Sequence, residues 1–318
     1  MQRHPYLLPT PCDYVHKSLG EWVCNIADGG PYLDSGYSPP SDVVIHPWDE
    51  EKFLSELEKA ERQEKLSPGG NRAVLFCSTT DPYQVLHHPD SEQGILFNSH
   101  RRTVMRRALR LIRDHSTLRV RILTRSPLAQ EDFNLFKSFG DRLMFGMYLP
   151  TLRDDLSRIY ERNAPLPDLR WDALHKAKET GLHVFVVMAP TYPDSDEDDL
   201  RPTLYAIADF DPLTVFHGVM RLNADDVARV VINAALNGTR VNTKALQSRR
   251  KWIKHALHTF GTVERIATCI GLDDRLHLWP DLMLGTDEAR SFVNNPSRYR
   301  FWLNQCWGRV SEWPQASR

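Results

Sequence analysis

Residues Arg119–Pro150 read RVRILTRSPLAQEDFNLFKSFGDRLMFGMYLP. Two runs of apolar and β-branched residues, RVRILT and RLMFGMY, enclose a stretch that opens on Ser126-Pro127 and closes on Gly140. A hydroxyl side chain ahead of proline starts a helix, because proline needs no N–H in the first turn. Glycine stops one, because it accepts the left-handed conformation there. Strand, helix and strand in about thirty residues form one step of a parallel sheet, since parallel neighbours need a long crossover.

The same step repeats outward. Upstream, DEEKFLSELEKAERQEKL begins at Asp49 as a helix with acids in its first turn, SPGGN breaks it, and RAVLFCS follows as a short buried strand. HRRTVMRRALRLIRDH is helical. Downstream, the helix PDLRWDALHKAKETG precedes the strand HVFVVMAP. The helix DEDDLRPTLYAIADF, the strand LTVFHGVMRL and the amphipathic helix NADDVARVVINAALNG follow. EWVCNIA is a candidate further strand near the N-terminus. Regular alternation predicts an α/β protein with a parallel sheet wrapped by helices. Neither GxGxxG after the first strand nor GxxxxGK[ST] occurs, so a partial barrel is favoured over a nucleotide-binding open sheet.

Three regions are expected. Residues 1–48 are an irregular segment rich in turn formers, with a candidate first barrel strand. Residues 49–242 form the partial (β/α) barrel. Residues 243–318 form a helical, Trp-rich extension, packed on the barrel through Trp279, Trp302, Trp307 and Trp313 as apolar anchors.

The 318 residues are 41% hydrophobic and 25% charged, the balance of a soluble globular protein. No apolar run is long enough for a membrane helix, and MQRHPYLLPTPC lacks the apolar core of a secretory signal, which predicts a cytoplasmic protein with no membrane partner. A net charge of −1 gives no global attraction to nucleic acid. Five cysteines stand at 12, 24, 77, 269 and 306 with no CxxC spacing, so neither a zinc knuckle nor a disulfide framework is indicated.

In a barrel of this kind chemistry gathers at the carboxyl ends of the strands. STTDPY lies at such an end, making Thr80, Asp81 and Tyr83 candidates for binding a ligand hydroxyl or amine. A turn held by Asp before Pro would explain the same residues. Arg125, Ser126, Glu161, Arg170 and Arg221 follow later strands, and arginines there suit a small anionic ligand through forked hydrogen bonds. Pairing of Glu161 with an arginine is the competing reading. Arg102, Arg106, Arg110 and Arg113 share one helix face, which with Arg249, Arg250 and Lys251 is a weak candidate for nucleic acid. A solvated outer helix is the simpler account. DSDEDDL lacks a calcium loop's glycine and terminal Glu, and its acids suit a helix start. His87, His88 and His217 show no metal-ligand spacing.

Taken together, TTDPYQ, ILTRSPLAQEDF, YERNAPLPDLRWDAL, VVMAPTYP, WPDLML and CWGRVSEWP resemble the ordered motifs of the spore photolyase-like branch of the radical SAM superfamily, over roughly Trp48 to Pro314. The resemblance implies a partial (β/α)6 TIM-like barrel that binds S-adenosylmethionine and a [4Fe–4S] cluster, with DNA repair as the best-known activity. The chemical positions depart from the pattern. Where CxxxCxxC belongs, the chain reads EWVCNIADGGPYLDSGYSPP. His87 or His88 stands near an expected acid, and Thr124, Arg125, Ser126 stand for TKS. Glu131, Asp132 stand for Arg-Asp, Glu161, Arg162 for Glu-Pro, and Pro193, Asp194 for Pro-Gly. Gly218, Val219, Met220, Arg221 replace an EPIN-like run. A cluster needs three thiolates around one face, leaving one iron open. The expected protein is therefore a diverged, non-radical member that has lost the cluster and binds a ligand or partner. The alternative is an active radical enzyme on nucleic acid or a small molecule, with an unconventional cluster on Cys12, Cys24 and Cys77.

Overall fold

Asp49 caps the helix predicted to start there: its carboxylate accepts the Lys52 N–H at 2.9 Å, and Glu50 and Glu51 occupy the positive end of the helix. The structure, a computed structural model, describes residues 15–18, 21–24, 27–28, 44–45, 48–64, 72–76, 81–85, 91–221, 224–309 and 312–314. Its elements in chain order are strands β1 (Val15–Ser18), β2 (Glu21–Cys24), β3 (Ala27–Asp28) and β4 (Val44–Ile45), helix α1 (Glu50–Glu61), strand β5 (Ala73–Phe76) and helix α2 (Ser91–His115). Next come β6 (Arg119–Thr124), a 3-10 turn at Pro127–Asp132, α3 (Phe133–Lys137), β7 (Leu143–Tyr148), α4 (Asp154–Tyr160) and α5 (Pro167–Glu179). Then follow β8 (His183–Thr191), α6 (Glu197–Phe210), β9 (Thr214–Val219) and α7 (Ala224–Leu236). The chain continues through α8 (Arg249–Cys269), β10 (Leu276–Leu278), α9 (Asp287–Arg290) and α10 (Pro296–Arg309).

The strand order is β1-β2-β5-β6-β7-β8-β9-β10, and β3 and β4 pair separately. β1 runs antiparallel to β2, while β2 with β5, β5 with β6, β6 with β7 and β8 with β9 are parallel. Strands β2 and β5 to β9, with their crossover helices, are the partial (β/α)6 barrel topology that the alternation predicts. One difference lies in the extension. Leu276–Leu278 forms a strand parallel to β9 within a segment expected to be helical. Three residues carry too little periodicity to be read from sequence.

The chain divides into two units. The first comprises Met1–Leu33, Tyr37–Met147 and Asp172–Val184. Its sheet is set by registers such as Val74 with Val120 and Ile122 with Phe145. Phe133 meets the Phe145 ring edge-on at 5.1 Å, Phe136 stacks on it at 5.8 Å, and α1 lies on α2 through Phe53, Leu57 and Ala60. Each such buried aromatic contributes about 2–3 kcal/mol through water exclusion.

The second unit comprises Asp34–Gly36, Tyr148–Trp171 and Phe185–Arg318. Here Phe185 and Phe216 meet at right angles across β8 and β9, and α8 buries Trp252, Ile253, Phe260 and Val263. The Trp anchors are used unequally. Trp302 Nε1 donates to Glu264 at 2.7 Å and Trp307 Nε1 to the Pro280 carbonyl at 2.9 Å, while Trp279 is 39% exposed.

Candidate functional site

In the first unit the end of β5 leads into Asp81, which lies 3% exposed in a tight turn. Its carboxylate accepts three hydrogen bonds: the Tyr83 N–H at 2.9 Å, the Thr124 hydroxyl at 2.5 Å and the Arg125 N–H at 2.6 Å. Thr124 Oγ in turn accepts the Ser126 N–H at 2.9 Å, and Ser126 caps the 3-10 turn by accepting the Leu128 N–H. The turn closes on the other side. The Tyr83 hydroxyl donates to Asp132 at 2.9 Å, Arg106 Nε donates to the same carboxylate at 2.6 Å, and Arg101 donates to the Pro82 carbonyl. Asp81, Tyr83, Arg125 and Ser126 are all buried. A carboxylate holding two backbone donors and a hydroxyl fixes the Asp81 turn to the end of β6.

The second unit holds its own polar groups. Arg170 is fully buried and donates to Glu161 at 2.6 Å, to the Pro165 carbonyl at 2.7 Å and to the Tyr148 carbonyl at 3.2 Å. Its remaining terminal nitrogen meets no acceptor among the described residues. The competing sequence reading, a Glu161–Arg pair holding the strand ends, is the arrangement present. Tyr160 stacks on Tyr192 with ring centroids 4.4 Å apart and donates to Asp194 at 2.6 Å, which also accepts the Asn242 N–H at 2.9 Å. Burial, with Asp194 alongside, raises the Tyr160 pKa well above that of a free phenol. Asp199 accepts from the Thr151 hydroxyl, and burial raises its pKa. His217 on β9 is fully buried. Its Nδ1 lies 3.1 Å from the Met188 carbonyl and 3.2 Å from Thr191 Oγ1, its Nε2 meets no partner, and burial pushes its pKa down to about 4.

The structure thus brings together Asp81, Tyr83, Arg125 and Ser126 in one unit, and Glu161 with Arg170 in the other. Arg221 is exposed and faces Asp281 at 3.2 Å. Thr80, Cys12, Cys77, His87 and His88 lie outside the described residues. The arginine face of α2 is partly neutralised, since Arg102 and Arg106 pair with Glu131, Arg106 also with Asp132, and Arg113 with Asp114. That pairing weakens the case for a phosphate-binding stripe there. DSDEDDL is a helix start, with the Asp196 carboxylate accepting the Asp199 N–H. The Tyr160–Tyr192–Asp194 group and the Thr151–Asp199 contact escape sequence reasoning, because residues from distant segments meet there without any local spacing. The one signal was Asp194 itself, a carboxylate where the resembling family has glycine.

A [4Fe–4S] cluster asks for three thiolates around one face, with one iron left open. The cysteines at 12, 24, 77, 269 and 306 offer no three thiols on one loop, and among the described residues no group of three His, Cys, Asp or Glu side chains is placed to hold a metal ion.

No family model matches the chain. An uncharacterised protein of Acidianus two-tailed virus, ORF301, is 28% identical over 238 residues, covering 67% of this chain and 74% of that protein. A cysteine-to-serine mutant of spore photoproduct lyase superposes with a TM-score of 0.62 at 15% identity, over 86% of this chain and 81% of the lyase. A second mutant of that lyase, with bound AdoMet and dinucleoside spore photoproduct, gives 0.59 at 14% identity, over 83% and 77%. Over most of the chain the fold is that of spore photoproduct lyase, the fold that the motifs imply.

Proposed function

We propose that this chain is a diverged, non-radical protein on a spore photoproduct lyase-like scaffold, which has lost the cluster site and binds a ligand or partner. One observation carries the reading: the segment between EWVC and the α1 helix contains no cysteine after Cys24, so the three-thiol loop that radical chemistry needs is not encoded where the fold would use it. The tight internal pairing of Asp81 and Glu161 supports it, since both carboxylates are spent on holding strand ends.

The proposed ligand is a small anion or an S-adenosylmethionine-like molecule. Its proposed seat is beside the Asp81 turn of the first unit, where Thr80 and Tyr83 follow β5 in sequence and Arg125 and Ser126 follow β6. A lyase mutant of the same fold binds AdoMet, which favours that ligand class. Glu161, Arg170 and Arg221 are proposed as groups of the second unit that shape its own strand ends.

The test is anaerobic reconstitution with iron and sulfide, followed by iron analysis and a search for cleavage of S-adenosylmethionine. A colourless protein without iron and without deoxyadenosine is expected. A brown protein with about four irons per chain that cleaves S-adenosylmethionine would establish the alternative, an active enzyme with an unconventional cluster.

A further inference from the structure

α7 has two apolar sides. On one, Val230 and Ala234 are buried with Leu156 and Ile159 of α4, and Asn233 donates to the Ile159 carbonyl at 3.1 Å. On the other, Ala228, Val231, Ile232, Ala235 and Leu236 all face out. The exposure of the large ones is 44% for Val231, 57% for Ile232 and 66% for Leu236. At about 100° per residue these five fill one continuous arc of the helix wall, and between Ala228 and Leu236 no polar residue falls on it; Asp225, in the first turn, lies on the same side. A helix on the surface of a monomer ordinarily turns its charged side outward. Contiguous aliphatics in that position mark an interface.

The pattern of the face and the charges at its two ends together suit a second copy of the chain. Ala228, Val231-Ile232 and Ala235 are spaced so that the series reads the same in both directions along the helix. A two-fold axis passing between Val231 and Ile232 sets Ala228 against Ala235 of a second copy, and Val231 against its Ile232. An isologous contact needs this self-complementarity, and an unrelated partner does not. The small residues allow the helices to approach at about 8–10 Å, with the branched side chains interlocking on either side.

Charge agrees with the antiparallel arrangement. The sequence places Asp225 and Asp226 in the first turn of α7 and Arg240 just beyond its last. Arg240 is exposed and makes no ion pair among the described residues. Two antiparallel copies put each Arg240 beside the acidic first turn of the other and set the helix dipoles head to tail.

We propose that the chain self-associates through α7 as an isologous antiparallel helix pair, with a second copy of itself as the occupant of this face. The contact is independent of whether any cluster is held.

Sedimentation velocity on the full chain, from micromolar to several hundred micromolar, tests it. The wild type is expected to pass from monomer to dimer across that range. Ile232→Glu, at an exposed site, is expected to keep the circular dichroism spectrum of the wild type and to remain monomeric throughout. Arg240→Asp is expected to weaken the dimer about tenfold, and adding Asp225→Arg and Asp226→Arg to it is expected to recover the loss. A wild type that is monomeric at every concentration would overturn the proposal. A dimer undiminished by Ile232→Glu would do the same, as would a monomer that instead pairs through this face with a different protein.

Discussion

Asp81 shows how one side chain can be read two ways from sequence and one way from geometry. Before a proline and at a strand end, it fits both a ligand hook and a turn former, and its three accepted hydrogen bonds show that it does at least the second. Replacement by Ala strands two backbone N–H groups and the Thr124 hydroxyl in a buried corner. The expected loss is about 3 kcal/mol in urea denaturation, with Thr124→Val costing less, about 2 kcal/mol, because the Tyr83 and Arg125 N–H groups keep their acceptor and only the Ser126 N–H loses its own. Equal losses for the two would show that the corner is not organised by the carboxylate. His217 gives a prediction in pH. Its ring titrates at 6.5 in the unfolded chain and at about 4 in the fold, because burial disfavours the charged form. The unfolded state therefore takes up the proton first, so this contribution is complete above about pH 6.5 and is lost as the pH falls toward 4. The full window is worth about 3 kcal/mol. His217→Gln, which keeps a polar group beside Thr191 but cannot titrate, is expected to remove that much of the acid sensitivity. An unchanged difference in stability between pH 7 and pH 4 would exclude the ring as its source.

At the scale of elements, the helix starts were legible and the clasps between elements were not. Asp49, Ser126 and Asp196 each cap where the sequence places a short polar side chain before a helical run, a local rule with a local cause. β10 escaped because its pairing with β9 is the whole reason it is a strand. Arg170 is the clearest clasp. From the first turn of α5 it reaches Glu161 at the end of α4 and the Tyr148 carbonyl at the end of β7, joining three elements through one guanidinium. A buried pair is costly to break from one side, since the survivor keeps its desolvation penalty without its partner. Glu161→Gln is expected to destabilise the second unit by about 3 kcal/mol. The double replacement Glu161→Met with Arg170→Met is expected to recover most of that. A double variant as weak as the single one would mean that the carbonyl contacts of Arg170, and not the charge pair, hold these elements.

Over the whole chain, strand-helix alternation was legible because it is repeated many times and each repeat satisfies the same burial rule. The topology β2-β5-β6-β7-β8-β9 follows from it. Chemistry was legible only as substitutions against a resembling family, since a site depends on a handful of side chains whose meeting no periodicity records. Scaffold and chemistry can therefore be tested apart. A cluster native to the fold would bind the folded state alone, and at one hundred times its dissociation constant would add about 2.7 kcal/mol of stability. In a chain of this size that raises the melting temperature by several degrees, at about 2 °C or more per kcal/mol. The proposed loss of the cluster site predicts no such rise: melting curves of the anaerobic protein should coincide with and without iron and sulfide. Metal bound loosely to the exposed Cys269 would leave the midpoint in place and would vanish in Cys269→Ser. An iron-dependent rise that persists in Cys269→Ser but disappears in Cys24→Ser or Cys77→Ser would instead show that thiols far apart in sequence converge on one cluster, and would return the protein to radical chemistry.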